Sequence, residues 1–124
     1  MDKIENLFDR GVLHPGHPPI VDFAELAASE KDLKAGTVLA NGEDGYEPAS
    51  ASGQALPTAV LLEDVAAHED AVRARVAVHG MVVRSRLLDF SGEVEAVASD
   101  ALAAKLPAAG IYLAQAGWDS SNFN

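Results

Sequence analysis

The chain has 124 residues, 48% of them hydrophobic, with no cysteine and a formal net charge of −10. That length and apolar content suit one domain with a real core and exclude compositional disorder, while the absence of cysteine excludes disulfide scaffolds and thiolate metal sites. The acidic balance argues against phosphate-directed nucleic-acid binding, and no apolar run approaches the roughly 20 residues that a membrane span needs.

The opening segment MDKIENLFDR is mixed in charge and lacks the apolar stretch of a signal peptide, so folding in a cytoplasm is expected. Ile4, Leu7 and Phe8 share the i, i+3, i+4 spacing of one helical face. Ten residues do not hold a helix alone in water, so this is an apolar tip rather than a core element. The next stretch, VLHPGHPPIVDF (12–23), is dominated by proline, which removes main-chain donors and holds its predecessor extended. It reads as a stiff tether, and the two together form an arm over residues 1–21. The arm residues expected to dock are Ile4, Leu7, Phe8, Val12, Leu13, Pro15, Pro18, Pro19 and Ile20.

A β domain then starts near Phe23 and runs to about residue 116. Asp22 with Glu25 resembles a capping box, so a short amphipathic turn at Asp22–Glu30 competes with an extended reading. TVLA (37–40) is a short strand, and Asn41-Gly42 with Asp44-Gly45 are two reversal signals. ASASGQALP (49–57) is loop, and TAVLLEDV (58–65) is a strand-length apolar run. Residues 60–75 also fit a helical period tolerably, which periodicity alone does not settle.

The clearest pattern is AVRARVAVHGMVVRSRLL (71–88). Val72, Ala74, Val76 and Val78 alternate with Arg73, Arg75, Ala77 and His79, as in a strand with one buried face. His79-Gly80 is a tight hairpin or a glycine bend, followed by a second extended run, Met81–Leu88. Arg73, Arg75, Arg84 and Arg86 form the only basic cluster. Its plain reading is the solvated face of a strand pair, and its functional reading is a bridge to an acidic neighbouring subunit. SDALAAKLP (99–107) is the best helix, capped by Ser99 and stopped by Pro107, with Leu102 and Leu106 on one face. AAGIYLA (108–114) closes as a strand, and 117–124 is a polar tail carrying Trp118. The fold class expected is mainly β: short strands, one or two short helices and an extended amino-terminal arm.

No pattern of residues points to catalysis. Of the four histidines, His14 and His17 lie in the proline-rich tether, His68 in a charged loop and His79 at a turn. Two histidines on a tether supply at most half of a metal site. No serine stands in a G-x-S-x-G setting, and NGEDG lacks the lysine and helix of a phosphate loop. Glu63-Asp64 and Glu69-Asp70 are sequence neighbours, which a strand sends to opposite faces. No enzymatic activity, cofactor, metal or small-molecule substrate is therefore expected.

Four pieces in order, LKAGTVLA (33–40), SASGQALPTAVLLEDV (50–65), VRARVAVHGMVVRSRLL (72–88) and LAAKLPAAGIYL (102–113), resemble the head decoration proteins of tailed bacteriophages, the family of the phage lambda capsid-stabilising protein D. The likeness covers about two thirds of the chain. It implies a β-clip-like domain without enzymatic activity, trimeric, sitting at local three-fold positions on the outer surface of an expanded capsid. The implied partners are the major capsid protein and two further copies of the chain, and the implied location is the virion. The resemblance also favours strand, loop, strand over a helix at 60–75, and an arm that orders on the shell. On that reading, deleting Met1–Pro19 leaves a folded trimer that no longer binds capsids. A small β binding module, such as a fibre base or adhesin component, is the other reading the sequence allows.

Overall fold

Residues 12–14, 19–53, 55–92 and 95–115 are described by the computed structural model. The fold is mainly β. Among the described residues the strands, in chain order, are β1 (Leu13–His14), β2 (Ile20–Leu26), β3 (Val38–Gly42), β4 (Gly45–Pro48), β5 (Pro57–Leu61), β6 (Val72–Val83), β7 (Leu88–Asp89), β8 (Ala96–Val97) and β9 (Ile111–Ala114), with one short α-helix, α1 (Asp100–Ala103).

Five strands close on themselves in the order β6, β2, β4, β3, β5 and back to β6. Most seams are antiparallel, and β3 and β4 form a hairpin about Glu43-Asp44, where the reversal signals stand. The weakest seam is β2 to β4, a parallel contact at Leu26 and Tyr46 extended by the Ala27 N–H donating to the Tyr46 carbonyl at 2.9 Å. Gly45 makes this approach possible. Its φ is +129°, and a Cβ there would stand 2.8 Å from the Glu25 carbonyl oxygen.

The long strand β6 serves two sheets. Up to His79 it pairs with β2 and β5; beyond it, Met81 and Val82 pair with β1 while Gly80–Val83 pair with β9. Gly80 makes the bend, at φ +132°, with Pro19 so close that a Cβ would lie 2.9 Å from the Pro19 Cα. His79-Gly80 is thus a bend inside one strand and not a hairpin. The second extended run ends at Val83, because Arg84–Arg86 turn as a 3-10 helix before β7.

The ring has two cores, one on each side of its wall. Leu26, Leu39, Ala59, Leu61, Ala74 and Val76 fill the inside. Val38, Val60, Leu62 and Ala77 face outward and are buried beneath Val12, Leu13, Leu102, Leu106 and Ile111. Strands β3 and β5 therefore bury both faces, which explains why they read as continuous apolar runs rather than alternating ones. Helix α1 belongs to the outer layer. Ser99 caps it, its Oγ accepting from the Leu102 N–H at 3.2 Å, and Pro107 opens a separate 3-10 turn.

The segment at Asp22–Glu30 is a strand up to Leu26, not a helical turn. The capping-box pattern misleads because Asp22 Oδ1 accepts from its neighbour Phe23 N–H at 2.8 Å, while Glu25 lies opposite Arg73 on β6. The loop after β5 packs back on residues 29–35. Leu33 and Val65 exchange main-chain hydrogen bonds at 2.8 and 2.7 Å, and Ser29 and His68 do the same at 3.0 and 2.9 Å.

Candidate docking surface

Val12 and Leu13, assigned from the sequence to the docking arm, are core residues with 1% and 2% exposure. β1 is only two residues long, but it lies in register with Val82 and Met81, and the Val83 N–H donates to the Val12 carbonyl at 2.7 Å. The proline-rich tether is thus stapled to the domain at its start. Deletion through Pro19 removes that staple, so a folded product is no longer the expected result. Pro19 lies against Gly80, and Ile20 begins β2 opposite His79. Ile4, Leu7, Phe8, Pro15, His17, Pro18 and Trp118 lie outside the described residues.

The four arginines do not make one strand-pair face. Arg73 is exposed beside Glu25. The Arg75 N–H donates to Glu63 Oε2 at 2.6 Å, and its Nε stands 3.9 Å from the same oxygen. Arg84 and Arg86 belong to the 3-10 turn. Arg84 Nη2 donates to the Ala98 carbonyl at 2.7 Å and to Asp100 Oδ1 at 2.9 Å, so this guanidinium braces α1 to the end of β6.

The histidines take up structural positions too. His14 is strand-paired opposite Met81. The ring nitrogens of His68 lie 2.9 Å from the carbonyl oxygens of Ala66 and Ala27, tying the loop after β5 to the end of β2, so this ring is not simply solvated. His79 is a strand residue whose ring meets Tyr112 edge-on, with centroids 6.1 Å apart. Among the described residues no group of three or more His, Asp or Glu side chains is placed to hold a metal ion.

Ile20 is expected from the sequence to dock; what sequence reasoning missed is that Val21 and Phe23 on β2 are exposed beside it. Ile20, Val21 and Phe23 are 57%, 40% and 60% exposed, and they sit within four positions of one strand. The helical layer that covers the outer face over β3, β5 and the middle of β6 does not reach this point. Leu56, Val97 and Tyr112 are also exposed, but each stands on a different element. Isolated apolar side chains on a surface are ordinary, whereas a cluster marks a place where something docks.

Among the described residues, the same stretch presents an open strand edge. Arg75 directs its main chain toward β5, its carbonyl accepting from the Leu62 N–H at 3.0 Å and its N–H going to Glu63. Phe23, opposite Arg75, therefore turns its own N–H and carbonyl away from β6. By the same alternation Val21 and Glu25 do so as well. β4 meets this side of β2 from the Glu25 carbonyl onward, which Gly45 abuts, and among the described residues no strand pairs with Ile20–Ala24 there. The one signal in the sequence was the period-two run Val21, Phe23, Glu25 against Ala24 and Leu26, masked by the competing capping-box pattern.

Comparisons with protein-family models, with curated proteins and with solved structures return no match.

Proposed function

We propose that this chain is a non-enzymatic structural protein of a virion, a homotrimeric head decoration protein that binds the outer surface of an expanded phage capsid and holds its subunits together against packaged DNA. The observation that carries this reading is the apolar open edge of β2, with Phe23 60% exposed on an otherwise acidic chain. Proteins that act alone protect such an edge with charge, proline or a covering element, because an unpaired strand invites another chain. A cement protein needs such an edge, since its work is to adhere to protein.

The functional chemistry is therefore adhesion: apolar surface removed from water and main-chain hydrogen bonds completed across the contact. Fully covering one Phe or Ile side chain is worth about 1.5–3 kcal/mol. A single contact of that size is modest, but three copies on one trimer raise the effective concentration and make attachment nearly permanent. The four sequence pieces that resemble head decoration proteins lie on β3, β5, β6 and the α1–β9 layer that covers them, so the resemblance concerns the scaffold.

The test has two arms. Sedimentation velocity of the pure protein is expected to give a trimer. Co-sedimentation with expanded, DNA-free shells of a capsid protein encoded beside this chain is expected to pellet it, and Phe23→Asp combined with Ile20→Asp is expected to leave it folded and in the supernatant. A wild-type protein that stays a monomer and ignores the shells would point to the binding-module reading instead.

A further inference from the structure

The reading above says that the β2 edge docks on protein; the inference here rests on it and concerns what kind of segment is docked. We propose that the open edge of β2 is completed by strand addition from an extended segment of a different protein, and that this segment carries a basic side chain at the end lying against the Glu43-Asp44 turn.

The geometry supplies the slot. Phe23 points its N–H outward, where among the described residues the adjacent Asp22 carboxylate accepts it at 2.8 Å. Val21 and Glu25 alternate with it, and further along the same side the Ala27 N–H is already taken by Tyr46 of β4. An added strand would thus continue the line of β4 along Ile20–Ala24, using donors and acceptors that β2 already presents in strand geometry. Exposed Val21 and Phe23 offer apolar contact to alternate side chains of such a strand.

Charge decides the occupant. Because β4 runs parallel to β2 with Tyr46 beside Leu26, and Gly45 abuts the Glu25 carbonyl, the turn residues Glu43 and Asp44 close the far end of the slot. Both are exposed carboxylates, and Glu25 adds a third acid at the same end. Edge-to-edge pairing with the β2 of a second copy fits this badly, since Ile20–Leu26 contains Asp22 and Glu25 and no Lys or Arg, and each copy carries a formal charge of −10. A strand with a terminal Lys or Arg meets the acids instead.

The probe is a pair of fluorescent extended peptides, Lys-Thr-Val-Thr-Val-Lys and Glu-Thr-Val-Thr-Val-Glu, titrated against the full chain by polarisation. The lysine peptide is expected to bind about tenfold tighter, and Glu43→Lys with Asp44→Lys to reverse the order. Phe23→Pro removes the outward N–H without touching the β6 ladder, so it is expected to abolish binding that Phe23→Ala only weakens. If Phe23→Pro fails to fold, the charge reversal in the turn, at exposed loop positions, still decides the matter. Equal binding of both peptides would overturn the proposal, as would self-association of the chain that Phe23→Pro removes, which would assign the edge to a second copy. Shell binding by the wild-type protein is scored separately, so decoration can stand while this mode of docking falls.

Discussion

Leu13 stands opposite Val82 in an antiparallel pair, and both are buried to within 2% of completely. A residue that looks from its neighbours like part of a tether is therefore a bolt between the amino-terminal segment and the bent end of β6. Leu13→Ala is expected to destabilise the domain by about 2–5 kcal/mol, the usual cost of emptying a well-packed leucine site. Chemical denaturation of the two proteins measures it, and deletion of Met1–Pro19 should cost at least as much. A truncated protein as stable as the full chain would show that Val12 and Leu13 contribute nothing to the core.

Gly80 carries the bend that lets β6 join both sheets. At φ +132°, with Pro19 at its back, the position suits no side chain. Gly80→Ala combines backbone strain with a clash against Pro19, and a loss on the order of 1–3 kcal/mol is expected in thermal melting. Gly92 has open space around its Cβ position, so Gly92→Ala serves as the control that should melt close to wild type.

Arg84 separates a structural role from a docking role within the basic cluster. Its side chain is only 17% exposed, while its partner Asp100 is fully exposed. Loss of the bond to the Ala98 carbonyl should dominate, so Arg84→Ala is expected to cost about 1–3 kcal/mol and Asp100→Ala clearly less. Arg73→Ala, at an exposed position beside Glu25, should leave the melting temperature nearly unchanged. Equal losses for Arg84→Ala and Asp100→Ala would mean that the ion pair, not the carbonyl contact, does the bracing.

The elements that could be read from sequence are those whose signals are local. Asn41-Gly42 and Asp44-Gly45 mark a real hairpin, Ser99 caps a real helix, and the alternation from Val72 to Val78 is a real strand. The elements that could not be read depend on partners far away in the chain. β1 is two residues between prolines and glycine, too short to show a period, and only the distant Val82 and Met81 make it a strand. β2 carried a helix-start pattern at Asp22 and Glu25, and its strand identity comes from the seven-residue ladder with β6. Val12 and Leu13 read as arm for a related reason, since their burial depends on the distant Val82 and on the outer layer. Exposure of Ile20, Val21 and Phe23 follows from where the outer helical layer stops, which no local pattern encodes.

The central claim is that this chain decorates a capsid. Cryo-electron microscopy of expanded shells incubated with the purified protein tests it most directly. The account predicts three-fold posts at the local three-fold positions of the outer surface, with the Ile20–Phe23 edge of β2 against capsid density. Bare shells at saturating protein, or density confined to the inside of the shell, would contradict it.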